Sequence, residues 1–214
     1  KQVRDLEPAP HPVFSVAFHP DGKSLVSGDL LGQVAQWNLA DGKQVRTFDA
    51  AVLYSLSRLQ DVGGARCLAF DADGKALAVG GTLPANGGTV QGEPCVLLFD
   101  WKTGQQQHKL VLGAKTECYV HEVFLHADGF LMTVTSGTPG NGRLSFIEPG
   151  QEKPFFQGSN AMANCHSLAV HPTGKQLAVV ATSKGSNGNG RPLKDGEYVG
   201  NHSPIHLLEF GGEA

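Results

Sequence analysis

At 214 residues, with 40% hydrophobic and 17% charged side chains, the chain suits one large all-β domain and is too apolar for disorder. Its 28 glycines and 12 prolines favour many short strands joined by turns over a helical fold. A net charge of −3 without any Lys/Arg run excludes a phosphate-tracking surface, and no apolar run reaches the roughly 18 residues that span a bilayer. No nucleic-acid or membrane partner is therefore expected.

The elements repeat in chain order. Residues 1–7, KQVRDLE, match KQVRTFD at Lys43–Asp49 and read as an outer strand without its blade. From Val13, VFSVAFHPDGKSLVSG gives an alternating strand, a tight turn and a second strand, with QVAQWNL and KQVRTFDA as third and fourth. The pattern recurs from Ala65 (ARCLAFDADGKALAVG, then CVLLFDW and QQHKLVLG) and from Val120 (VHEVFLHADGFLMTVT, then RLSFIEP and KPFFQG). It recurs again from Cys165 (CHSLAVHPTGKQLAVV, then IHLLEF), where no fourth strand follows.

The turns HPDGK, DADGK, HADGF and HPTGK share one mechanism: Asp or Thr precedes a Gly that supplies positive φ to close a hairpin. Four antiparallel strands every 45–55 residues are the signature of a propeller blade. The units run approximately 8–50, 51–115, 116–159 and 160–214, the last completed by residues 1–7 or an equivalent strand.

His11–Phe48 resembles a WD40 repeat across its whole length. Trp37-Asn38 stands where that family carries Trp-Asp, and His11 near its Gly-His. Phe99-Asp100, Ile147-Glu148 and Leu208-Glu209 replace the dipeptide in the other units, a departure from the strict Asp–His–Ser–Trp network. The resemblance suggests divergent bacterial, planctomycete-like WD40 proteins. It implies an all-β propeller section within a seven- or eight-bladed ring, or a half-ring that self-associates. It also implies a non-catalytic scaffold that binds a protein or peptide and needs no cofactor.

The loops are unequal. Turns from strand 1 to 2 and from 3 to 4 are short, whereas the opposite face carries insertions at 49–64, 82–94, 136–142, 158–164 and 183–204. One trimmed and one elaborated face read as a binding device. The inner strands open there with Phe14, Arg66, His121 and His166, preceded by Tyr119 and Asn164, and Arg191 lies in the longest loop. These residues are the expected partner contacts, since Arg and Tyr combine large contact area with directed hydrogen bonds.

An alternative is a small-ligand binder or hydrolase with an axial site near Arg66, His121 and His166. Cys118, His121, Cys165 and His166 are a weak zinc set, because adjacent residues 165 and 166 point to opposite sides of a strand. His19, His126 and His171 share the hairpin-turn column and read as structural or solvated.

Overall fold

A shared hairpin turn starts every repeat. In the computed structural model, the amides of Gly22, Gly74, Gly129 and Gly174 donate to the carbonyls of His19, Asp71, His126 and His171 at 2.8–3.0 Å. Gly22 and Gly74 sit at φ 66° and 68°, where a side chain would be strained. The Asp21 carboxylate accepts the Lys23 and Ser24 amides, and Asp71 those of Lys75 and Ala76. The structure describes residues 1–57, 59–85, 92–158, 162–182, 193–195, 197–198 and 203–210.

These hairpins grow into four antiparallel sheets. Blade 1 holds β1 (Val13–Phe18), β2 (Ser24–Asp29), β3 (Gln33–Asn38) and β4 (Gln44–Asp49) in that order. A further hairpin, β5 (Tyr54–Ser57) with β6 (Gln60–Gly63), rises from the 49–64 insertion, which the sequence pattern presents only as a loop. Blade 2 holds β7 (Cys67–Phe70), β8 (Ala76–Pro84), β9 (Gly92–Asp100) and β10 (Gln106–Val111). Blade 3 holds β11 (Tyr119–Leu125), β12 (Leu131–Ser136), β13 (Leu144–Ile147) and β14 (Phe156–Gln157).

Among the described residues, blade 4 has three strands: β15 (Cys165–Val170), β16 (Gln176–Ala181) and β19 (Ile205–Glu209). Between the last two, β17 (Leu193–Lys194) pairs with β18 (Glu197–Tyr198) inside the long loop.

Middle strands are buried on both faces, which is why they read as continuous apolar runs. In blade 2, Leu77, Val79, Leu97 and Phe99 pack toward Val26, Val34 and Phe48 of blade 1. Their alternates Ala78, Val96 and Leu98 pack toward Val120, Val123 and Leu131 of blade 3. Met132, Val134 and Phe146 then meet Leu168, Leu177 and Val179 of blade 4. The core is therefore a set of layers between blades.

On the trimmed face, buried His19 bolts blade 1 to blade 2. Its ring stacks on Trp101 at 4.6 Å, meets Phe70 edge-on at 4.8 Å, and places Nε2 2.9 Å from the Gly74 carbonyl. Because Nδ1 accepts the Asp21 amide, Nε2 carries the proton given to Gly74. The structural reading of this histidine column holds for His19, and for His126, which stacks on Phe130 at 4.5 Å.

The outer faces of blades 1 and 4 are apolar. Phe18 is 69% exposed on one, and Ile205 and Leu207 are 73% and 71% exposed on the other. Trp37, on the blade 1 face, donates Nε1–H to Ser27 Oγ at 2.8 Å, while His11 stands exposed. Leu6 and Ala9 cover the Leu25–Ala35–Trp37 cluster. Residues 1–7, expected as an outer strand, have no strand conformation in this structure. They run beside the β3–β4 turn instead: the Glu7 amide donates to Gly42 O at 3.2 Å, and the Arg4 guanidinium donates to Ala40 O.

Candidate functional site

The inner strands carry β-bulges where the predicted contact column lies. Pairing slips between Val13 and Ser15, between Val120 and Glu122, and between Cys165 and Ser167, leaving Phe14, His121 and His166 as the extra residues. Arg66 is their equivalent, since its amide donates to Gly80 O while Cys67 already pairs with Gly80. A bulge re-aims a side chain without disturbing the rest of the ladder. Here four of them turn the same column toward the same rim.

The side chains meet there in a row. The Arg66 guanidinium lies 4.0 Å from the Phe14 ring centroid and 5.2 Å from that of Tyr119. Tyr119 lies 6.4 Å from His121, which lies 5.2 Å from His166. Phe14, Arg66, Tyr119 and His121 line an open cleft of about 500 Å³. Arg66 Nε–H donates to Gly63 O at 2.7 Å, which fixes the guanidinium between the two rings. Gly64, in the turn ahead of Arg66, has φ 97° and no space for a Cβ beside the Leu30 and Asp29 carbonyls.

Ser136, at the end of β12, joins the histidines. Its Oγ is 2.6 Å from His121 Nε2 and 3.4 Å from His166 Nδ1. One hydroxyl proton cannot serve both, so one imidazole donates to the serine and the other accepts from it. His121 is lowered to about 4, by desolvation first and then by the nearby His166 and Arg66 charges. Desolvation lowers His166 as well, and desolvation raises the Tyr119 phenol. At neutral pH the row therefore holds one fixed positive charge, Arg66, beside neutral rings.

One expectation needs correction. Asn164 is buried rather than presented to a partner. With its amide oriented to suit its neighbours, it donates to Asn141 O and accepts from Gly140 N and Thr182 Oγ1, tying the 136–142 loop to blade 4. The Cys/His quartet does not assemble. Cys165 is fully buried in the layer between blades 3 and 4, and its thiol donates to Met162 O at 2.9 Å.

Burial pushes Cys165 up to about 12 and Cys118 up to about 11, which keeps both protonated and opposes metal ligation. Among the described residues, no group of three or more His, Cys, Asp or Glu could hold a metal ion. Arg191 lies outside the described residues.

Sequence reasoning missed the clamp beneath the row. Glu117, buried just ahead of Tyr119, is held by Arg143 through Nη2–Oε1 at 2.5 Å and Nε–Oε2 at 3.2 Å. Thr135 Oγ1 donates to the same carboxylate at 3.3 Å, and Arg143 Nη1 reaches Gln157 at 3.2 Å. Thr138 donates its amide to Thr116 O at 2.8 Å. Two loops of the elaborated face are thus locked together. Ser136 was also missed, because a serine ending a buried strand carries no distinguishing signal.

Residues 1–38 match the WD40 family model, "WD domain, G-beta repeat". The "Periodic tryptophan protein 2 homolog" of Schizosaccharomyces pombe is 36% identical over 201 residues, covering 83% of this chain and 22% of that protein. "Telomerase protein component 1" of Mus musculus is 31% identical over 180 residues, covering 83% of this chain and 6% of that protein. The chain thus spans less than a quarter of the length of either relative. Both relatives are eukaryotic, and neither match supports the bacterial, planctomycete-like affinity expected from the divergent repeats. The match and the Trp37–Ser27 bond thus mark the first repeat as WD40-like, and the strand order of the other blades is consistent with the same repeat.

Proposed function

We propose that this chain is a non-catalytic interaction scaffold that captures a protein or peptide partner on its loop-rich face. The WD40 match and the relatives support a protein-interaction scaffold in general terms. One observation carries the finer reading: bulges on successive inner strands bring Phe14, Arg66, Tyr119, His121 and His166 side by side at one rim. Aromatic rings and an arginine in a shallow cleft offer contact area at low entropic cost, because packing already holds their rotamers.

The Ser136–His121 contact is the feature a hydrolytic reading could use. A serine nucleophile also needs its base oriented by a third group. Among the described residues, no carboxylate bonds His121, and its lowered proton affinity makes it a poor base near pH 7. The scaffold reading therefore takes precedence.

The test is quantitative capture of proteins from cell extract. Arg66→Ala with Tyr119→Ala should abolish capture, whereas Lys23→Ala, Asp73→Ala and Lys175→Ala in the trimmed-face turns should leave it intact. Capture that ignores the first pair and depends on the second set would overturn the assignment.

A further inference from the structure

We propose that the Phe14–Arg66–Tyr119 sandwich is the seat for a single carboxylate of an acidic peptide, an Asp or Glu side chain of the partner. This rests on the partner-face reading above and names the chemistry that the face selects.

The geometry of Arg66 is the first argument. The guanidinium carbon lies 4.0 Å from the Phe14 ring centroid, Nε is committed to Gly63 O and the side chain meets the Tyr119 hydroxyl, so the remaining Nη hydrogens are the part left to a ligand. A planar guanidinium held in this way presents parallel N–H donors that match a carboxylate, and its orientation is already fixed. Tyr119 lines the same cleft, with its phenolic hydroxyl held beside the Arg66 side chain.

Charge points the same way. Among the described residues, no carboxylate pairs with Arg66. The carboxylates of the adjoining strands and loop are committed elsewhere. Asp29 accepts the Leu31 and Gln33 amides, Glu117 holds Arg143, and Glu122 accepts from Ser167 and the Leu168 amide. An arginine packed beside aromatic rings without a counter-ion leaves a local charge for a ligand to balance.

The surroundings of the cleft set the ligand's charge. The groups facing the cleft are Arg66 before β7, Tyr119 and His121 on β11, Ser136 on β12 and His166 on β15. One fixed positive charge among neutral groups matches a monoanion. A phosphate near its dianionic form would leave one charge uncompensated in the same space.

The state of His121 then depends on occupancy. Arg66 and His166 both disfavour its proton, so a carboxylate that offsets Arg66 makes protonation easier. By linkage, a bound carboxylate raises the His121 midpoint, an effect confined to pH values at which the ligand itself stays ionised, above about 4.3.

The experiment is an NMR titration of the whole chain with N-acetylglutamate N′-methylamide at constant ionic strength, following Arg66 Nε–H and the His121 ring. N-acetylglutamine N′-methylamide and N-acetylphosphoserine N′-methylamide are the comparison probes. The carboxylate probe should shift Arg66 Nε–H and raise the His121 titration midpoint, and the amide probe should do neither. Arg66→Gln and Arg66→Lys should each weaken the carboxylate probe by about tenfold or more, since a bidentate charge-assisted pair is lost in both.

Equal responses to the carboxylate and amide probes, unchanged affinity in Arg66→Gln, or tighter binding of the phosphoserine probe would each overturn the proposal. If the carboxylate probe fails while Arg66→Ala with Tyr119→Ala still abolishes partner capture, only the ligand chemistry falls. If capture is also unaffected, the partner face itself is wrong.

Discussion

Removing either half of the Glu117–Arg143 pair should have unequal costs, because the two ends are buried unequally. The Glu117 side chain is 3% exposed and that of Arg143 is 39% exposed. Arg143→Met leaves a buried carboxylate with one weak partner, the Thr135 hydroxyl at 3.3 Å. Stranding a buried charge in this way costs about 3–5 kcal/mol. Glu117→Gln instead strands a guanidinium that can turn to water and keep Gln157, so the loss should be about 1–2 kcal/mol. The double variant contains no buried charge and should resemble Glu117→Gln, with a coupling of about 2 kcal/mol or more.

Urea denaturation followed by far-ultraviolet circular dichroism, read as midpoint shifts at a constant slope, measures all three. A uniform slope is needed because the clamp joins two loops of one blade, and local opening would broaden the transition. Equal single losses, or a larger loss for Glu117→Gln, would refute the reasoning. Backbone packing, and not the ion pair, would then hold the loop ahead of Tyr119.

Other outcomes can be stated now. Trp37→Ala should lose about 3 kcal/mol or more by denaturant titration, since a buried ring and its bond to Ser27 both go; Trp37→Phe should lose about 1 kcal/mol. Arg66→Ala with Tyr119→Ala should leave the urea midpoint nearly unchanged, because both residues sit half-exposed at the rim. His121 has its folded value lowered from 6.5 to about 4, so below about 6.5 the unfolded chain binds this proton more readily. Its contribution to stability is therefore lost as pH falls between those values, and His121→Gln should flatten that part of a pH–stability profile. Phe18, Ile205 and Leu207 expose apolar area at the two end blades, so the isolated chain should self-associate. Sedimentation of the wild type as a monomer would contradict this, and Phe18→Asp or Leu207→Asp should shift it toward monomer.

The hairpins were legible in the sequence because their signal is local. An Asp or Thr beside a Gly at the same offset fixes each turn, and apolar runs on either side give its strands. The face bearing the insertions could likewise be counted out from strand order. Bulges are different, since slipping one residue in a ladder leaves composition and near-alternation intact. Phe14, Arg66, His121 and His166 could be named as a column, but not placed in a stacked row.

The buried polar groups misled or were passed over for the same reason. Asn164 in a loop reads as solvent-facing, yet three partners from neighbouring loops enclose it. Glu117 and Arg143, 26 positions apart, form a pair that no local pattern announces. The β5–β6 hairpin turns through Leu59 at φ 63°, a position where glycine would have been the readable sign.

A bulged residue stands outside the pairing register and, in this chain, outside the layers between blades. Its neighbours on the inner strands are constrained by the sheets packed beside them, but the extra residue is not. The frame therefore separates two design problems that most surfaces entangle. Four positions can be rewritten, one per blade, while the hairpins, the His19 bolt and the apolar layers remain as they are. A library randomised at residues 14, 66, 121 and 166 should retain cooperative unfolding in most of its members, with recognition as the property that varies.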